Sequence, residues 1–387
     1  MTKQQKLLLK SAILTMSFVQ MSTTAIAPFL ADIGRAFPEA PTEKVQFLMT
    51  FPSIFGMIAM FLSAAISRKT GKRLTAVLGL ATVAVSGIAA VLAHGSIDIL
   101  FVWAMILGLG YGLVSPIPPA LIGESFEGNE AKNMLGLQNS AANIGSMLMT
   151  FFGGILAAHG WWFGYLVYLI GLPGLVLSLV GVRETRRDAE AGNGSFSLGA
   201  LLKDIWKALF ISWIFMLLFN AIPSNLSMLI TEQDLGASQA AGIVSALFLA
   251  GGMVAGFIYG PLSARIGAKT TVAGVLTLAL GAFVGALCHN LILLCIACLI
   301  GGMSIGLLMP HIMQTPARYP GRGAFVTALI MGAANIGVFC TPILTKLTNQ
   351  ITGTDLAANR FLAVGIASLV LSVLVGVVFL KKDRTKK

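Results

Sequence analysis

Charged residues divide this chain into a series of long uncharged stretches. Ten stretches of at least 20 residues contain no Asp, Glu, Lys or Arg: 11–31, 45–67, 74–97, 99–123, 133–182, 208–231, 235–264, 270–317, 323–345 and 361–380. A helix that crosses the hydrocarbon layer of a membrane needs about 20 apolar residues. Eight stretches hold one such helix each, and the stretches of 50 and 48 residues hold two each, with turns expected near His159–Gly160 and His289–Asn290. The sequence therefore predicts twelve transmembrane helices, which we number spans 1 to 12.

The composition excludes a soluble protein of this length. Only 11 % of the 387 residues are charged and 56 % are hydrophobic, whereas a soluble domain carries about 25 % charged residues. A lipid-facing barrel is excluded as well, because its strands alternate polar and apolar residues in segments of about ten, and the uncharged stretches do not alternate. The predicted fold class is an all-α integral membrane protein.

The basic residues predict the orientation of the chain. With both termini in the cytoplasm, 22 of the 26 Lys and Arg residues fall on the inner side, and the four outside are Arg35, Lys44, Lys346 and Arg360. An excess of Lys and Arg in cytoplasmic loops is typical of membrane proteins. The net charge of +11 is thus interpreted as a topology signal, and no nucleic-acid partner is expected. We predict a multi-pass protein of the cytoplasmic (inner) membrane.

The first apolar stretch resembles a cleavable signal peptide. Three lysines precede it, and Ala25-Ile26-Ala27 follows. The apolar run is about 20 residues long, however, which exceeds the 7–15 residues usual in signal peptides. We therefore interpret this stretch as span 1, retained in the protein.

Short motifs recur along the chain at an offset of about half its length. The pattern G-x-x-x-G-L-x-x-P occurs twice, and so does A-A-N-I-G. The matched positions are Gly56 with Gly252, residues 108–116 with 302–310, and residues 141–145 with 333–337. An offset of six spans keeps the two copies in the same orientation, so the sequence predicts a parallel repeat of two six-helix bundles around a central substrate site.

A polar stretch separates the two copies. Residues 183–204 begin Arg-Glu-Thr-Arg-Arg-Asp and continue through Gly192-Asn193-Gly194-Ser195, a composition typical of a linker. The predicted domains are an N-terminal bundle at 1–182, a cytoplasmic linker at 183–204 and a C-terminal bundle at 205–387.

The loop between spans 2 and 3 carries a basic motif that is repeated between spans 8 and 9. The copies are AAISRKTGKR (64–73) and GPLSARIGAK (260–269). Together with twelve spans and a duplicated half, they resemble the major facilitator superfamily of secondary transporters, whose motif is G-x-L-a-D-R-x-G-R-K. Both copies lack the aspartate. Glycine permits a sharp turn between helices, and the basic residues can pair with acids at neighbouring inner helix ends, for which Glu124, Glu127 and Glu130 are candidates at the first loop. Gating is therefore a candidate role for Arg68, Lys69, Gly71, Arg73, Arg265, Gly267 and Lys269. The alternative is that the basic residues serve topology alone.

Other family motifs are present in part. Pro28-x-Leu30-Ala31-Asp32 resembles the drug-exporter pattern at the end of span 1. The antiporter motif of span 5, g-x3-G-P-x2-G-G, survives as three glycines, but Met149-Thr150 replaces its Gly-Pro. The resemblance favours export, with antiport against protons as a candidate mode, while Met149-Thr150 favours the alternative of nutrient uptake or exchange.

Uncharged polar residues inside the spans are candidates for contact with substrate. An unpaired amide in hydrocarbon is costly, so each must face a wet cavity or bond to another helix, and both alternatives stay open for any one residue. The candidates lie on spans 1, 5, 7 and 11: Gln20, Thr24, Asn139, Asn143, Ser146, Asn220 and Asn335. Asn143 and Asn335 occupy equivalent repeat positions.

No Asp, Glu, Lys or Arg is predicted deep inside a span, although an embedded charge commonly marks ion-coupled transport. Candidates for proton coupling are therefore peripheral: Asp32, Glu124 and His311. A neutral site favours neutral or lipophilic organic solutes. Enzyme activity is not expected, because the spans lack a nucleophile with a base or paired acids, and neither a cofactor nor a metal is predicted. We expect a monomer whose partners are the bilayer and a small-molecule substrate, with the proton as the candidate coupling ion.

Overall fold

The computed structural model describes residues 3–182, 198–267, 269–313, 315 and 323–384. Within these ranges the regular elements are helices, without strands. Their bounds are Lys3–Ser17, Ser22–Phe29 and Leu30–Ala36 (span 1), Thr42–Thr70 (2), Lys72–Leu92 (3), Ile97–Val114 and Ile117–Ser125 (4), Gly128–Ala157 (5), Trp161–Ile170 and Gly171–Gly181 (6), Leu198–Glu232 (7), Ser238–Ile266 (8), Lys269–Leu287 (9), Leu291–Ile312 (10), Gly323–Thr352 (11) and Ala357–Arg384 (12).

The helices confirm the predicted number of spans. Among the described residues, 11 helices are long and apolar enough to cross a membrane, and span 1 makes a twelfth when its two parts, bent by 44°, are taken together. The predicted turns are also present, because helices end at Ala157 and Leu287 and resume at Trp161 and Leu291. Uncharged length alone therefore located the spans correctly.

The chain forms two compact units. Unit 1 consists of Met1–Ala189 and Ala237–Ala246, and unit 2 consists of Glu190–Gly236 and Leu247–Lys387. Residues 183–197 of the predicted linker lie outside the described residues, so the linker stays a prediction there. Lys203 and Asp204, which were expected in the linker, instead belong to the first turns of span 7, since that helix begins at Leu198.

In unit 1, the glycines of the span-4 motif let that helix approach span 2 closely. A Cβ added at Gly108 would collide with the backbone carbonyl of Pro52, and one added at Gly112 would collide with the carbonyl of Gly56. Small residues at such positions allow the van der Waals packing that holds membrane helices together.

The equivalent contacts recur in unit 2. A Cβ added at Gly302 would collide with the carbonyl of Phe248, and one added at Gly306 would collide with the carbonyl of Gly252. The two span-10 glycines lie 194 residues after their counterparts on span 4, and Phe248 and Gly252 lie 196 residues after their counterparts on span 2. The sequence repeat is thus a repeat of helix packing.

Two spans of unit 1 are interrupted within the membrane-spanning region. In span 1, the α-helix ends at Ser17 and gives way to a 3₁₀ segment that begins at Ser22. Span 4 breaks between Val114 and Ile117, where Pro116 removes a backbone donor. Such breaks expose backbone polar groups, which membranes tolerate only inside protein or beside a water-filled cavity.

The repeated glycines of the two basic loops make sharp turns. Gly71 has φ 87° and Gly267 has φ 57°, a region that side-chain-bearing residues rarely adopt. Each glycine lies between two long helices, spans 2 and 3 or spans 8 and 9. The two motif copies therefore share a turn geometry that requires glycine.

Candidate functional site

The break in span 1 is stabilised by short-range backbone hydrogen bonds. The amides of Phe18, Gln20, Ser22 and Thr24 each donate to the carbonyl three residues earlier, at 3.1–3.3 Å. This tighter winding is the 3₁₀ pattern, which often marks a hinge or a strained sequence. The segment carries two of the predicted substrate contacts, Gln20 and Thr24.

Gln20 connects this break to two other spans. Its amide nitrogen donates to the carbonyl of Ser115, in the break of span 4, at 3.2 Å. Its amide oxygen accepts a hydrogen bond of 2.7 Å from the amide of Gln138 on span 5. Gln138 is only 5 % exposed and Gln20 is half-buried, so the two glutamines form a partly buried neutral pair.

Thr24 makes a second polar contact with span 5. Its hydroxyl lies 2.8 Å from the hydroxyl of Ser146, which is fully buried. Between the two polar contacts, a Cβ added at Gly145 would collide with the Cα of Phe18. Span 5 thus lies directly against the broken part of span 1, and we call Gln20, Thr24, Gln138 and Ser146 the polar cluster of unit 1.

The remaining predicted residues of span 5 do not join this cluster. Asn139 is exposed, and the amide of Asn143 donates to the carbonyl of Asn139 in its own helix at 2.9 Å. The hydroxyl of Thr150 likewise bonds to the carbonyl of Ser146 at 3.1 Å. Of the three residues predicted on span 5, only Ser146 therefore belongs to the polar cluster.

In unit 2, the two predicted asparagines lie in different environments. Asn220 on span 7 is 5 % exposed, and its amide nitrogen has no hydrogen-bond partner among the described residues. Asn335 on span 11 is half-buried. Spans 7 and 11 approach closely where a Cβ added at Gly337 would collide with the carbonyl of Trp213, which is the repeat counterpart of the contact between Gly145 and Phe18.

Unit 2 also holds a charge that the sequence analysis assigned to the outer surface. Arg360, in the first turn of span 12, is only 3 % exposed and forms an ion pair with Asp355. It donates to the side-chain oxygens of Asn225 at 3.0 Å and of Asn349 at 3.1 Å. This buried charge lies in the first turn of span 12, at the end of the span, so it does not contradict the prediction that no charged residue lies deep inside a span.

The basic loop between spans 2 and 3 has an acidic partner of the kind predicted. Lys72 forms an ion pair with Glu124 at the end of span 4. Glu130 instead pairs with two lysines of span 1, Lys6 at 2.7 Å and Lys10 at 2.8 Å. The Glu130 carboxylate lies before the apolar part of span 5. The hydrogen bond from Lys10, followed by the smaller effect of the hydrogen bond from Lys6, lowers the pKa of this carboxyl group.

The other gating candidates are mostly exposed. Lys69, Arg265 and Lys269 are exposed, and Arg73 is half-buried. The side chain of Arg68 lies outside the described residues.

The three proton-coupling candidates lie near span ends. Asp32 forms a pair of 3.2 Å with Arg35 and a hydrogen bond with Ser238, the first residue of span 8. Glu124 is held by Lys72. His311 is half-buried in the last turn of span 10. Asp32 therefore combines partial burial with a neutral hydrogen-bond donor.

The sequence matches the family model described as Major Facilitator Superfamily twice, over residues 12–231 and 208–387. The chain belongs to the major facilitator superfamily. Members are secondary transporters, so this is a multi-pass membrane transporter with two copies of the family's six-span half. A comparison with curated proteins gives no match.

Solved structures of other superfamily members share the fold at low identity. A bacterial homologue of the human lysosomal transporter Spinster has a TM-score of 0.77 at 14 % identity, covering 100 % of this chain and 98 % of its own. The nucleoside transporter NupG has 0.73 at 13 %, covering 96 % and 99 %. A D-xylose-proton symporter has 0.72 at 12 %, covering 94 % and 95 %.

Two candidate functional residues of this superfamily member were missed from sequence. Gln138 precedes Asn139, and only contact with span 1 distinguishes the two polar neighbours. The signal that could have identified Gln138 is its spacing of seven residues from Gly145. Two residues seven apart lie on the same face of a helix, and glycine marks the face that contacts another helix. Arg360 was counted as an outer charge because it follows a polar loop, and nothing local indicates its burial.

Proposed function

We propose that this transporter moves a small neutral or lipophilic organic solute across the cytoplasmic membrane by alternating access, with export as its direction. The observation that carries the proposal is the polar cluster of unit 1. Its two amides and two hydroxyls are uncharged and meet at a break in span 1. Discontinuous helices near the membrane midplane are typical substrate sites in transporters.

The proposed substrate contacts are the polar cluster together with Asn139, Asn143, Asn220 and Asn335. A neutral set of donors and acceptors suits a solute without net charge, since an ionic substrate would require a compensating charge in a medium of low dielectric constant. The basic loops and Glu124 are proposed to take part in gating.

We further propose that Asp32 carries the coupling proton, with Glu124 and His311 as weaker candidates. Partial burial and a hydrogen bond with Ser238 support Asp32, because a serine hydroxyl can donate to the carboxylate and accept from the protonated carboxyl, so that both forms keep a partner. Both termini are proposed to lie in the cytoplasm, and the transporter is proposed to act as a monomer.

The alternative is uptake or facilitated exchange of a small neutral or weakly acidic nutrient. Met149-Thr150, in place of the Gly-Pro found in antiporters, favours it. Thr150 bonds within its own helix, and span 5 has no proline to remove a backbone donor between Gly128 and Ala157.

Transport by the purified protein in proteoliposomes distinguishes these functions. Radiolabelled chloramphenicol tests a neutral lipophilic solute, and uridine and D-xylose test nutrients, each under an imposed pH gradient. Accumulation of chloramphenicol into vesicles with an acidic lumen supports proton-coupled export. Accumulation of a nutrient driven by an acidic exterior supports the alternative and contradicts export. Asp32→Asn should abolish the gradient-driven component while leaving exchange of labelled for unlabelled solute intact, and an unchanged gradient-driven rate excludes Asp32 as the proton carrier.

A further inference from the structure

Two buried N–H donors on span 7 of unit 2 have no acceptor in the described part of the protein. They are the amide nitrogen of Asn220 and the indole nitrogen of Trp213. Neither atom can accept a hydrogen bond, because an indole nitrogen and an amide nitrogen are donors only. Buried polar atoms without partners are rare in native proteins and call for an explanation.

The two donors lie on one face of the helix. They are seven residues apart, which brings a side chain back to nearly the same direction two helical turns further on, at a rise of about 10 Å. Trp206 continues this seven-residue series toward the start of the helix, and Ser227 continues it toward the end. We call residues 206, 213, 220 and 227 the donor face of span 7.

Exposure falls steadily along the donor face. Trp206 is 53 % exposed, Trp213 is half-buried, Asn220 is 5 % exposed and Ser227 is 2 % exposed. The face is therefore accessible near the start of span 7 and closed at Asn220. Trp213 therefore lies nearer the exposed end of the donor face than Asn220.

Packing around the donor face does not supply an acceptor from the described residues. The ring of Phe210 lies beside Trp213, with ring centroids 6.0 Å apart. Phe219, the residue before Asn220, packs against Phe248 at 4.7 Å. The hydroxyl of Ser224, one turn further along, is directed to the backbone carbonyl of Asn220 at 2.8 Å. These neighbours are apolar or already bonded elsewhere, so an acceptor for the two donors has to come from outside this set of residues, and a bound solute can supply it.

We propose that the donor face of span 7 selects solutes that carry uncharged hydrogen-bond acceptors, such as carbonyl or ether oxygens, and rejects organic cations. This inference rests on the proposed function and specifies its substrate class. Acceptor atoms of the solute pair with the Asn220 amide and the Trp213 indole, whereas a cation without an acceptor leaves both donors unpaired and also loses its hydration. A binding site discriminates strongly between similar ligands when the wrong ligand leaves buried polar groups of the protein without hydrogen-bond partners.

A matched pair of probes tests the proposal. 1-Methyl-2-pyridone and 1-methylpyridinium have nearly the same shape, but the first is neutral with a carbonyl oxygen and the second is a cation without an acceptor. The full-length protein in detergent is labelled with ¹⁵N in its tryptophan indoles, and the Trp213 resonance is identified as the one lost in Trp213→Phe. We expect the pyridone to shift this resonance saturably and the pyridinium to leave it unchanged.

Two substitutions at Asn220 separate recognition from folding. Asn220→Leu removes the donor at similar volume and should weaken pyridone binding about tenfold, the loss of one hydrogen bond. Asn220→Asp replaces the donor amide by a carboxyl and should shift the preference toward the pyridinium. Ser368→Ala removes another buried hydroxyl that lacks a partner among the described residues, on span 12, and should change neither affinity.

The proposal is overturned by any of three results. The first is an equal response to both probes or to neither. The second is pyridone affinity unchanged in Asn220→Leu. The third is a Trp213 resonance already at the position of a hydrogen-bonded indole before any probe is added. The readout here is binding in detergent, without a membrane gradient. These failures would therefore not affect the proteoliposome test of the proposed function. Conversely, a failure of that transport test would not affect a positive binding result.

Discussion

The amide of Gln138 on span 5 donates a hydrogen bond of 2.7 Å to the amide oxygen of Gln20, at the break in span 1. Gln20 in turn donates to the carbonyl of Ser115, at the break in span 4. One side chain therefore connects three spans at the two places where their helices are interrupted. A change in the winding of span 1 at Gln20 would rearrange this bond, so under the proposed function the glutamine pair links substrate binding to movement of span 1.

Gln138→Leu should reduce the rate of transport of whichever solute the protein carries by about tenfold or more. Removing the amide leaves Gln20 without its donor, and one lost hydrogen bond in a buried site costs about 1–3 kcal/mol. Initial rates in proteoliposomes measure the effect. Ser140→Ala is the matched control, since its hydroxyl bonds to the Gly136 carbonyl in the same helix at 3.1 Å. Equal rates for Gln138→Leu and the control would remove Gln138 from the site.

Gly145→Ala should destabilise the protein by about 1–3 kcal/mol, the usual effect of overpacking. The added Cβ would collide with the Cα of Phe18, which cannot rotate away as a flexible side chain can. Unfolding in mixed detergent micelles gives the free energy. Gly136→Ala on the same helix has open space around its Cβ and should be neutral or slightly stabilising. If both variants unfold alike, spans 1 and 5 do not meet at Gly145.

Glu130→Gln should lower the melting temperature at neutral pH by a few degrees at most, because both lysine partners and the carboxylate are partly exposed. Lys10 and Lys6 lower the pKa of Glu130 in the folded protein. The ion pairs of Glu130 therefore contribute their full stability above the ordinary glutamate pKa, and this contribution is lost as the pH falls through the lower pKa of the folded state. Melting curves of the wild type and the variant should thus converge in acid. A constant difference at every pH would contradict the ion pairs.

Arg360→Met should destabilise unit 2 by about 2 kcal/mol, since it removes charge-assisted hydrogen bonds to Asn225, Asn349 and Asp355. Asp355 is 59 % exposed, so water compensates for part of its lost partner. Thermal unfolding in detergent measures the change. Lys346→Met, at an exposed position on span 11, is the control and should have little effect. Equal stability of the two variants would mean that Arg360 is not buried in the folded protein.

Some features followed from local sequence because their causes are local. Uncharged length located the spans, since a charge is expelled from hydrocarbon wherever it occurs in the chain. Gly71 and Gly267 marked the two turns, because positive φ requires glycine regardless of what surrounds it. The same holds for Gly108 and Gly302, whose lack of a side chain permits close helix contact in either unit.

Other features depend on where a helix face points. Gln138 and Asn139 are adjacent polar residues of span 5, yet one is buried against Gln20 and the other is exposed. A rotation of about 100° per residue separates their directions, and periodicity alone does not say which direction meets span 1. Arg360 illustrates the same limit, because the acceptors that allow its burial come from residues 11 and 135 positions away.

Hydropathy and motif spacing were therefore enough to predict twelve membrane crossings, two repeated halves, and spans whose polar residues are almost all uncharged. The crossings and the lack of charge depend on the cost of transferring each residue to lipid, which is additive along the chain, and the repeat is visible in the motifs themselves. Three features became visible only in the folded chain: span 1 is broken, Gln138 rather than Asn139 reaches it, and Asn220 and Trp213 hold donors without acceptors among the described residues. Those outcomes depend on which atoms of distant segments come within hydrogen-bonding distance, and that is settled by packing.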